Sequence, residues 1–475
     1  MTEQKPAVRK ERDSMGEFDV PEDAYYGAST MRAVLNFPIS DLRFPRTFIR
    51  ALGLIKKFAA QVNRDLHLLD DERANAIIKA ADEVAGGAFD EWFVLDIFQT
   101  GSGTSTNMNA NEIIANRANE FLGSDKGTKT PVHPNDHVNL GQSSNDVIPT
   151  AIHVAAGIII HEELLPALAA LEGSLMRQRD AFWGIIKTGR THLQDATPIR
   201  LGQEFAGYAG QIERAKHRAA QALDELAELA LGGTAVGTGV STHPEFAARV
   251  IDLLQQTLSI SFHETTSHFS AQSTLDNVVS AHGQLRSIAV SLYSIANNIR
   301  LLSCGPRAGI GELALPAVQP GSSIMPGKVN PVIAESVTMV AAQVMGNDGI
   351  IGFAGAAGSY FELNVMMPVA AYALLQSAHI LASSAENFAK ACVDGIAATD
   401  RGPALVEQGL MLCTALAPKI GYDQAAAIAK AAFAHGTTVR EEAKSMTSLT
   451  DEELAELLDP EAMTEPGRQP ISAGG

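Results

Sequence analysis

Apolar residues recurring at helical spacing, with few breakers between them, dominate the middle of the chain. From Val147 to Lys187 only Pro149, Gly157, Pro166, Gly173 and Gly184 interrupt an Ala/Leu/Ile-rich pattern. Similar segments run from about Ile199 to Leu231, Leu275 to Leu302, Val332 to Gly352 and Val365 to Lys390. This periodicity predicts long helices, and at about 1.5 Å per residue such rods reach several tens of ångströms. Rods that are apolar on more than one face cannot all be buried by one chain, so bundling across subunits is the natural remedy. The flanks differ. Residues 1–142 mix short helical pieces with loops rich in Gly, Asn, Ser and Pro, and the chain after about Ala398 breaks into short pieces. Its last stretch, "EAMTEPGRQPISAGG", has the polar composition of a disordered tail. The expected organisation is three domains: a mixed helix/loop domain at 1–142, a long-helix bundle at 143–398, and a small helical domain with its tail at 399–475.

Polar clusters interrupt these patterns where helices are expected to start or loops to end. "QTGSGTSTNMN" places Ser102, Gly103, Thr104, Ser105 and Thr106 ahead of a helical run, and "GQSSNDVIPT" places Ser143, Ser144 and Asn145 before the longest one. N-capping needs one such residue, not three in a row. "KTGRTHLQDATP" sets Thr191 and His192 in a turn between two long helices, with Arg190 and Asp195 beside a candidate acid or base. "GSSIMPGKVNP", residues 321–331, cannot be helix, because its glycines permit positive φ and its prolines lack a donor. If these clusters converge they form a pocket for a small polycarboxylate, since free N–H groups at helix starts bind anions. No H-E-x-x-H, P-loop or dinucleotide fingerprint is present, so neither a metal nor a cofactor is expected.

Composition narrows the classes further. The 475 residues are 46% hydrophobic and carry 36 basic against 54 acidic side chains, a net charge of −18. That balance repels polyanions, so nucleic acid is not an expected partner. The three cysteines, Cys304, Cys392 and Cys413, show no C-x-x-C spacing and are expected to be reduced thiols. The N-terminal stretch has basic residues with no apolar segment behind them, and no uninterrupted apolar run reaches about 18 residues. No membrane association and a cytoplasmic location are expected.

"GSSIMPGKVNP" resembles the signature loop of the aspartase/fumarase superfamily. "GSGTSTNMN", "HPND", "QSSND" and "GRTHLQDATP" resemble the other blocks of class II fumarate hydratases in the expected order, and the resemblance spans nearly the whole chain. It implies a mainly α, three-domain fold and a homotetramer whose central domains form a twenty-helix core, with each active site assembled from three chains. Aspartases typically have a Thr after the first Ser of the "QSSND" block and a Gln at the turn histidine. Ser144 and His192 here match the fumarase form. His137 stands where many fumarases have a second Asp, and "TSHFSAQS" replaces the usual "NKFEA".

The implied reaction is reversible hydration of fumarate to L-malate by anti addition of water through an aci-carboxylate. By resemblance Ser322 is the proton-abstracting base, supported by Lys328, while His192 paired with Glu335 handles the water. Lys328, Asn330 and loop N–H groups would stabilise the aci-carboxylate. Ser102, Gly103, Thr104, Ser143, Ser144, Asn145, Thr191, Ser323 and Val329 would join them in binding the dicarboxylate. His133, Pro134, Asn135 and Asp136 resemble a secondary dicarboxylate site. Aspartate ammonia-lyase, or another lyase of the superfamily, is the alternative.

Overall fold

The computed structural model describes residues 7–468. An antiparallel hairpin opens the chain, with β1 (Val8–Asp13) paired to β2 (Gly16–Pro21). Helices α1 (Ala28–Asn36), α2 (Arg46–Asp65), α3 (Asp71–Gly86) and α4 (Thr104–Phe121) follow. Next come α5 (Ser144–Ile159), a π-helical segment at Ile160–Leu164 and α6 (Leu165–Ala181). A second antiparallel hairpin, β3 (Ile186–Thr191) and β4 (Gln194–Arg200), leads into α7 (Leu201–Glu225), α8 (Phe246–Leu258) and α9 (His268–Ser273). The long α10 (Asp276–Leu302), α11 (Val332–Gly358) and α12 (Met367–Ala391) are followed by short helices α13 (Arg401–Val406), α14 (Ala417–Ile420), α15 (Tyr422–His435), α16 (Val439–Met446) and α17 (Asp451–Leu457).

Three sequence expectations are corrected. The N-terminal flank is not made of short pieces, because α2 alone has 20 residues. Its Phe48, Leu52, Ile55, Phe58, Ala59 and Val62 recur at helical spacing and are buried, a signal that the loop-rich neighbourhood obscures. The rod starting at Val147 ends at Ala181, and Thr191 and His192 lie at the tip of a β-hairpin rather than in a turn between helices. There β-branched Ile186, Thr188 and Ile199 favour extended backbone, and Pro198 would break a helix. The stretch from Glu461, expected to be disordered, is anchored through Arg468. Arg200 Nη2 donates to Glu461 Oε1 at 2.9 Å, and Gln203 Nε2 donates to the Thr464 carbonyl at 2.9 Å. The remainder of that tail lies outside the described residues.

The helical run Ser144–Ala181 is long and apolar enough to cross a membrane by length and composition, although polar residues interrupt it. Within the fold 61% of its most apolar window is buried, as expected of a core helix.

By contacts the chain divides into two compact units, and α6, α7, α10, α11 and α12 contribute a segment to each. In the first unit (1–166, 216–289, 340–383) α2 packs against α3, α5 and α8. Phe48, Leu52, Ile55, Ile77, Ile113 and Ile114 are all fully buried there; truncating one such leucine to alanine costs about 2–5 kcal/mol. Glu112 on α4 closes the start of α1, which has no side-chain cap of its own, by accepting from Gly27 N and Ser29 N at 2.9 Å and Thr30 N at 3.1 Å. Buried His282 on α10 joins Asp348 on α11 and Ser377 on α12, each at 2.9 Å.

In the second unit (167–215, 290–339, 384–475) the β3–β4 hairpin packs on α13 and on the 3-10 turn Leu410–Ala415. Lys187 on β3, only 1% exposed, pairs with Glu204 at 3.0 Å and Glu312 at 3.1 Å, and Arg190 reaches Glu312 at 2.7 Å. These ions hold the hairpin from below its tip. A separate cluster of Leu412, Leu416, Ile428, Val439, Leu454 and Leu458 gives the C-terminal helices their own core.

Candidate functional site

In the first unit, the hydroxyl-rich block before α4 is shaped by two glycines. A Cβ on Gly101 would sit 1.9 Å from the Val365 carbonyl oxygen. Gly103 has φ +71, and a Cβ there would meet Ile148 at 2.9 Å, so only glycine fits both positions. None of the hydroxyls caps α4. Ser102 Oγ and Thr104 Oγ1 lie 2.7 Å apart and share a hydrogen bond, as do Thr100 and Ser105 at 2.8 Å.

At α5 the capping expectation resolves residue by residue. Ser143 is the N-cap and forms a reciprocal capping box with Asp146. Ser144 Oγ instead accepts from Asn107 Nδ2 at 3.1 Å, and Asn145 Nδ2 donates to the Ala235 carbonyl at 2.8 Å. Asp146, fully buried, also accepts from Gly232 N at 3.0 Å and Thr234 N at 2.9 Å. Burial pushes its carboxyl above the usual carboxylate range, against the pull of these N–H groups.

Beneath this helix start lies a group that motif reading missed. Lys56 on α2 is 0% exposed, and burial pushes its ammonium down to about 7. Its Nζ donates to Asn139 Oδ1 and Gln142 Oε1, each at 2.9 Å. Asn107 and Asn111 on α4 reach the same Asn139 oxygen at 3.2 Å. One signal was available in the sequence: Lys56 stands four residues after buried Leu52, on the apolar stripe of α2.

The "HPND" block forms a π turn, Pro134–Val138. His133 Nδ1 accepts from Asn135 N and Asp136 N at 3.2 Å, and the His133 N–H donates to His137 Nδ1 at 2.7 Å. His137 thus supplies an acceptor at the position where many fumarases have a second Asp, and burial holds its imidazole below the usual range. Pro134 is buried, whereas Asn135 and Asp136 are exposed.

In the second unit, Thr191 and His192 are exposed at the hairpin tip, where His192 (φ 55) and Leu193 (φ 61) take left-handed backbone. The 321–331 loop is closed by Gly321 N donating to the Lys328 carbonyl and Asn330 Nδ2 donating to the Gly321 carbonyl, both at 2.7 Å. Ser322 Oγ accepts from Ile324 N at 3.2 Å and Met325 N at 2.9 Å. Two donors on one serine oxygen favour its deprotonated form. Ser323, Lys328 and Val329 are exposed, and Glu335 lies in the first turn of α11. The Glu335 carbonyl accepts from Thr338 Oγ1 at 2.7 Å, and among the described residues no hydrogen bond joins His192 to Glu335.

A cavity of about 450 Å³ in the first unit is lined by Asp224, Glu225, Glu228 and His263 and contains none of the expected site residues. Its acidic wall repels a dicarboxylate. Among the described residues no group of three or more His, Cys, Asp or Glu side chains could hold a metal ion.

The blocks recur across known proteins. A lyase family model matches residues 16–346, and a fumarase C C-terminus model matches 412–465. A fumarate hydratase class II from Bradyrhizobium diazoefficiens is 52% identical over 464 residues, covering 98% of both chains. One from Halobacterium salinarum is 54% identical over 460 residues, 97% of both. The chain belongs to the class II fumarate hydratase family. Its fold agrees: the crystal structure of a class II fumarase from Schistosoma mansoni superposes with a TM-score of 0.93 at 37% identity, covering 97% of this chain and 100% of that one. The long apolar rods are helices as expected, and the mainly helical aspartase/fumarase fold that the resemblance implies is the fold observed. In this chain Ser322, Lys328 and His192 occupy an exposed loop and hairpin tip, while Ser143 and Ser144 stand at a helix start, Ser144 accepting from the buried amide of Asn107.

Proposed function

We propose that this protein is a fumarate hydratase that interconverts fumarate and L-malate. The observation that carries the reading is Ser322 Oγ receiving two backbone N–H donors inside a loop that also bears Lys328 and Asn330. A free serine is far too weak a base to take a carbon-bound proton; backbone donors lower that penalty, and the Lys328 ammonium of the same loop would lower it further once the loop closes on substrate. From malate, the Ser322 alkoxide removes the proton next to a carboxylate. The resulting dianionic aci-carboxylate is stabilised by Lys328, Asn330 and loop N–H groups. His192, oriented by Glu335, protonates the departing hydroxide on the opposite face, so water is lost anti. Ser102, Gly103, Thr104, Ser143, Ser144, Asn145 and Thr191 hold the substrate carboxylates, with Ser323 and Val329 closing over them. His133 to Asp136 form a secondary dicarboxylate site.

The same reading includes a homotetramer with sites shared between chains and the division into domains 1–142, 143–398 and 399–475. Support comes from the long helices, which leave Val290, Tyr293, Met339 and Phe353 exposed, apolar positions that need a partner helix. A cytoplasmic location is supported by three free thiols.

Purified protein assayed with malate, fumarate, fumarate plus ammonia, and aspartate tests the reaction. Malate and fumarate should interconvert without ammonia release, before and after dialysis against a chelator. Turnover of aspartate at an equal rate overturns the assignment in favour of an ammonia-lyase. The shared site is tested by co-refolding inactive His192→Asn with inactive Ser322→Ala. Random mixing restores about a quarter of the sites if the two residues come from different chains; recovery near zero from mixed tetramers rejects sharing.

A further inference from the structure

Burying an ammonium is costly unless its surroundings repay it, and among the described residues no carboxylate hydrogen-bonds to Lys56. Its two partners are the side-chain amide oxygens of Asn139 and Gln142, each at 2.9 Å. Asp146 on α5 is the charged group acting on it from nearby, and that carboxylate's own bonds go to Ser143, Gly232 and Thr234 backbone N–H groups. A methionine would fill the same space without the cost, so the charge asks for a use.

An ammonium only donates, and a side-chain amide donates at one end and accepts at the other. As an ammonium Lys56 therefore dictates which end of Asn139 faces it, and as a neutral amine it still has two N–H bonds for the oxygens of Asn139 and Gln142. Asn139 Oδ1 turns to Lys56, and Asn139 Nδ2 is left to donate to the Gln142 carbonyl at 3.1 Å. With that oxygen in place, Asn107 must present its Nδ2 to it, at 3.2 Å. The same Asn107 Nδ2 reaches Ser144 Oγ at 3.1 Å. Ser144 Oγ is thereby made an acceptor from inside the protein, and its single proton is left to donate outward. Were Asn139 flipped, Asn107 would turn its oxygen toward Ser144 and capture that proton.

We infer that Lys56 is a positioning residue for dicarboxylate binding: acting through Asn139 and Asn107, it keeps the Ser144 hydroxyl free to donate to a substrate carboxylate. The inference rests on Ser144 being a dicarboxylate ligand, as proposed above. It concerns a residue two hydrogen-bonded side chains removed from that ligand, and one outside every signature block.

The test is a double-mutant cycle on the full-length protein, read by calorimetric titration with succinate, a dicarboxylate that cannot be hydrated, and by KM and kcat for fumarate. Lys56→Met should raise the succinate Kd and the fumarate KM about tenfold, with a smaller change in kcat. On a Ser144→Ala background the same substitution should add little, because the hydroxyl it orients is gone. A full loss on both backgrounds overturns the relay, and so does an unchanged Kd in Lys56→Met. Should Lys56→Met fail to fold, Asn107→Ala removes the relay with the lysine in place and must show the same coupling to Ser144. Wild-type protein that binds succinate but turns over neither fumarate nor malate defeats the proposed function, while the cycle still decides the role of Lys56. Wild-type protein that does not bind succinate overturns both.

Discussion

At the start of α5, Ser143, Ser144 and Asp146 are each tied to partners beneath them, whereas in the 321–331 loop Ser323, Lys328 and Val329 stand exposed on a backbone closed by a few local hydrogen bonds. Both regions are polar and both precede a long helix. One is a fixed socket, its ordering entropy already spent in folding. The other keeps its side chains free to close on a ligand, as suits a lid that excludes water during proton transfer. In the mechanism we propose, the first region holds the substrate and the second transforms it, so the two should respond differently to substitution.

The largest contrast is expected from Ser322→Ala. Removing a base that acts only in the transition state should lower kcat by about a thousandfold or more, while succinate affinity stays near wild type. A variant retaining most of its kcat would pass the role to Lys328. Next in size is Asp146→Ala in the socket, which strips the acceptor from Ser143, Gly232 and Thr234 N–H groups at once. It should cost about 3 kcal/mol of stability and weaken succinate binding, seen as a lower denaturant midpoint. An unchanged midpoint would show that the α5 start is not the rigid region described.

Lys56 supplies a test through pH. Its amine is pushed from 10.5 down to about 7 by burial, so between those values the folded chain binds fewer protons than the unfolded one. Unfolding free energy then rises with pH across that window. The denaturant midpoint of wild type relative to Lys56→Met should climb from pH 7 to pH 9; a flat difference means that the amine is not held in its burial-depressed state. The smallest effect belongs to the loop backbone. Gly327 has φ +80 with open space around it, so Gly327→Ala meets strain without a clash, about 1 kcal/mol. It should lower kcat a few-fold and lower the melting temperature by no more than about 2 °C. A large fall in melting temperature would show that the loop is structural rather than a lid.

Particular residues mark how far the chain could be read. The signature blocks pointed to Ser322, Lys328, His192 and Ser143 to Asn145 because they gather more polar residues than one helix cap needs and resemble the blocks of a known family. The long rods were visible because apolar periodicity survives over many turns, and α10 was placed almost to the residue. The hairpin at 186–200 was hidden because its apolar run continues that of α6, and a short strand and a helix end share a composition. Lys56 was passed over because a lysine in a helix is ordinarily a surface residue.

The sequence by itself determined the family, the helical rods and the residue types able to move a proton or hold a carboxylate, because these depend on local periodicity and on the chemistry of individual side chains. Only the tertiary structure decided that Ser144 Oγ meets Asn107, that Asn107 meets Asn139, and that a buried lysine stands behind the α5 helix start. Hydrogen-bond direction and burial are set by which groups meet across distant segments, such as α2 with the turn before α5, and no local pattern encodes that meeting.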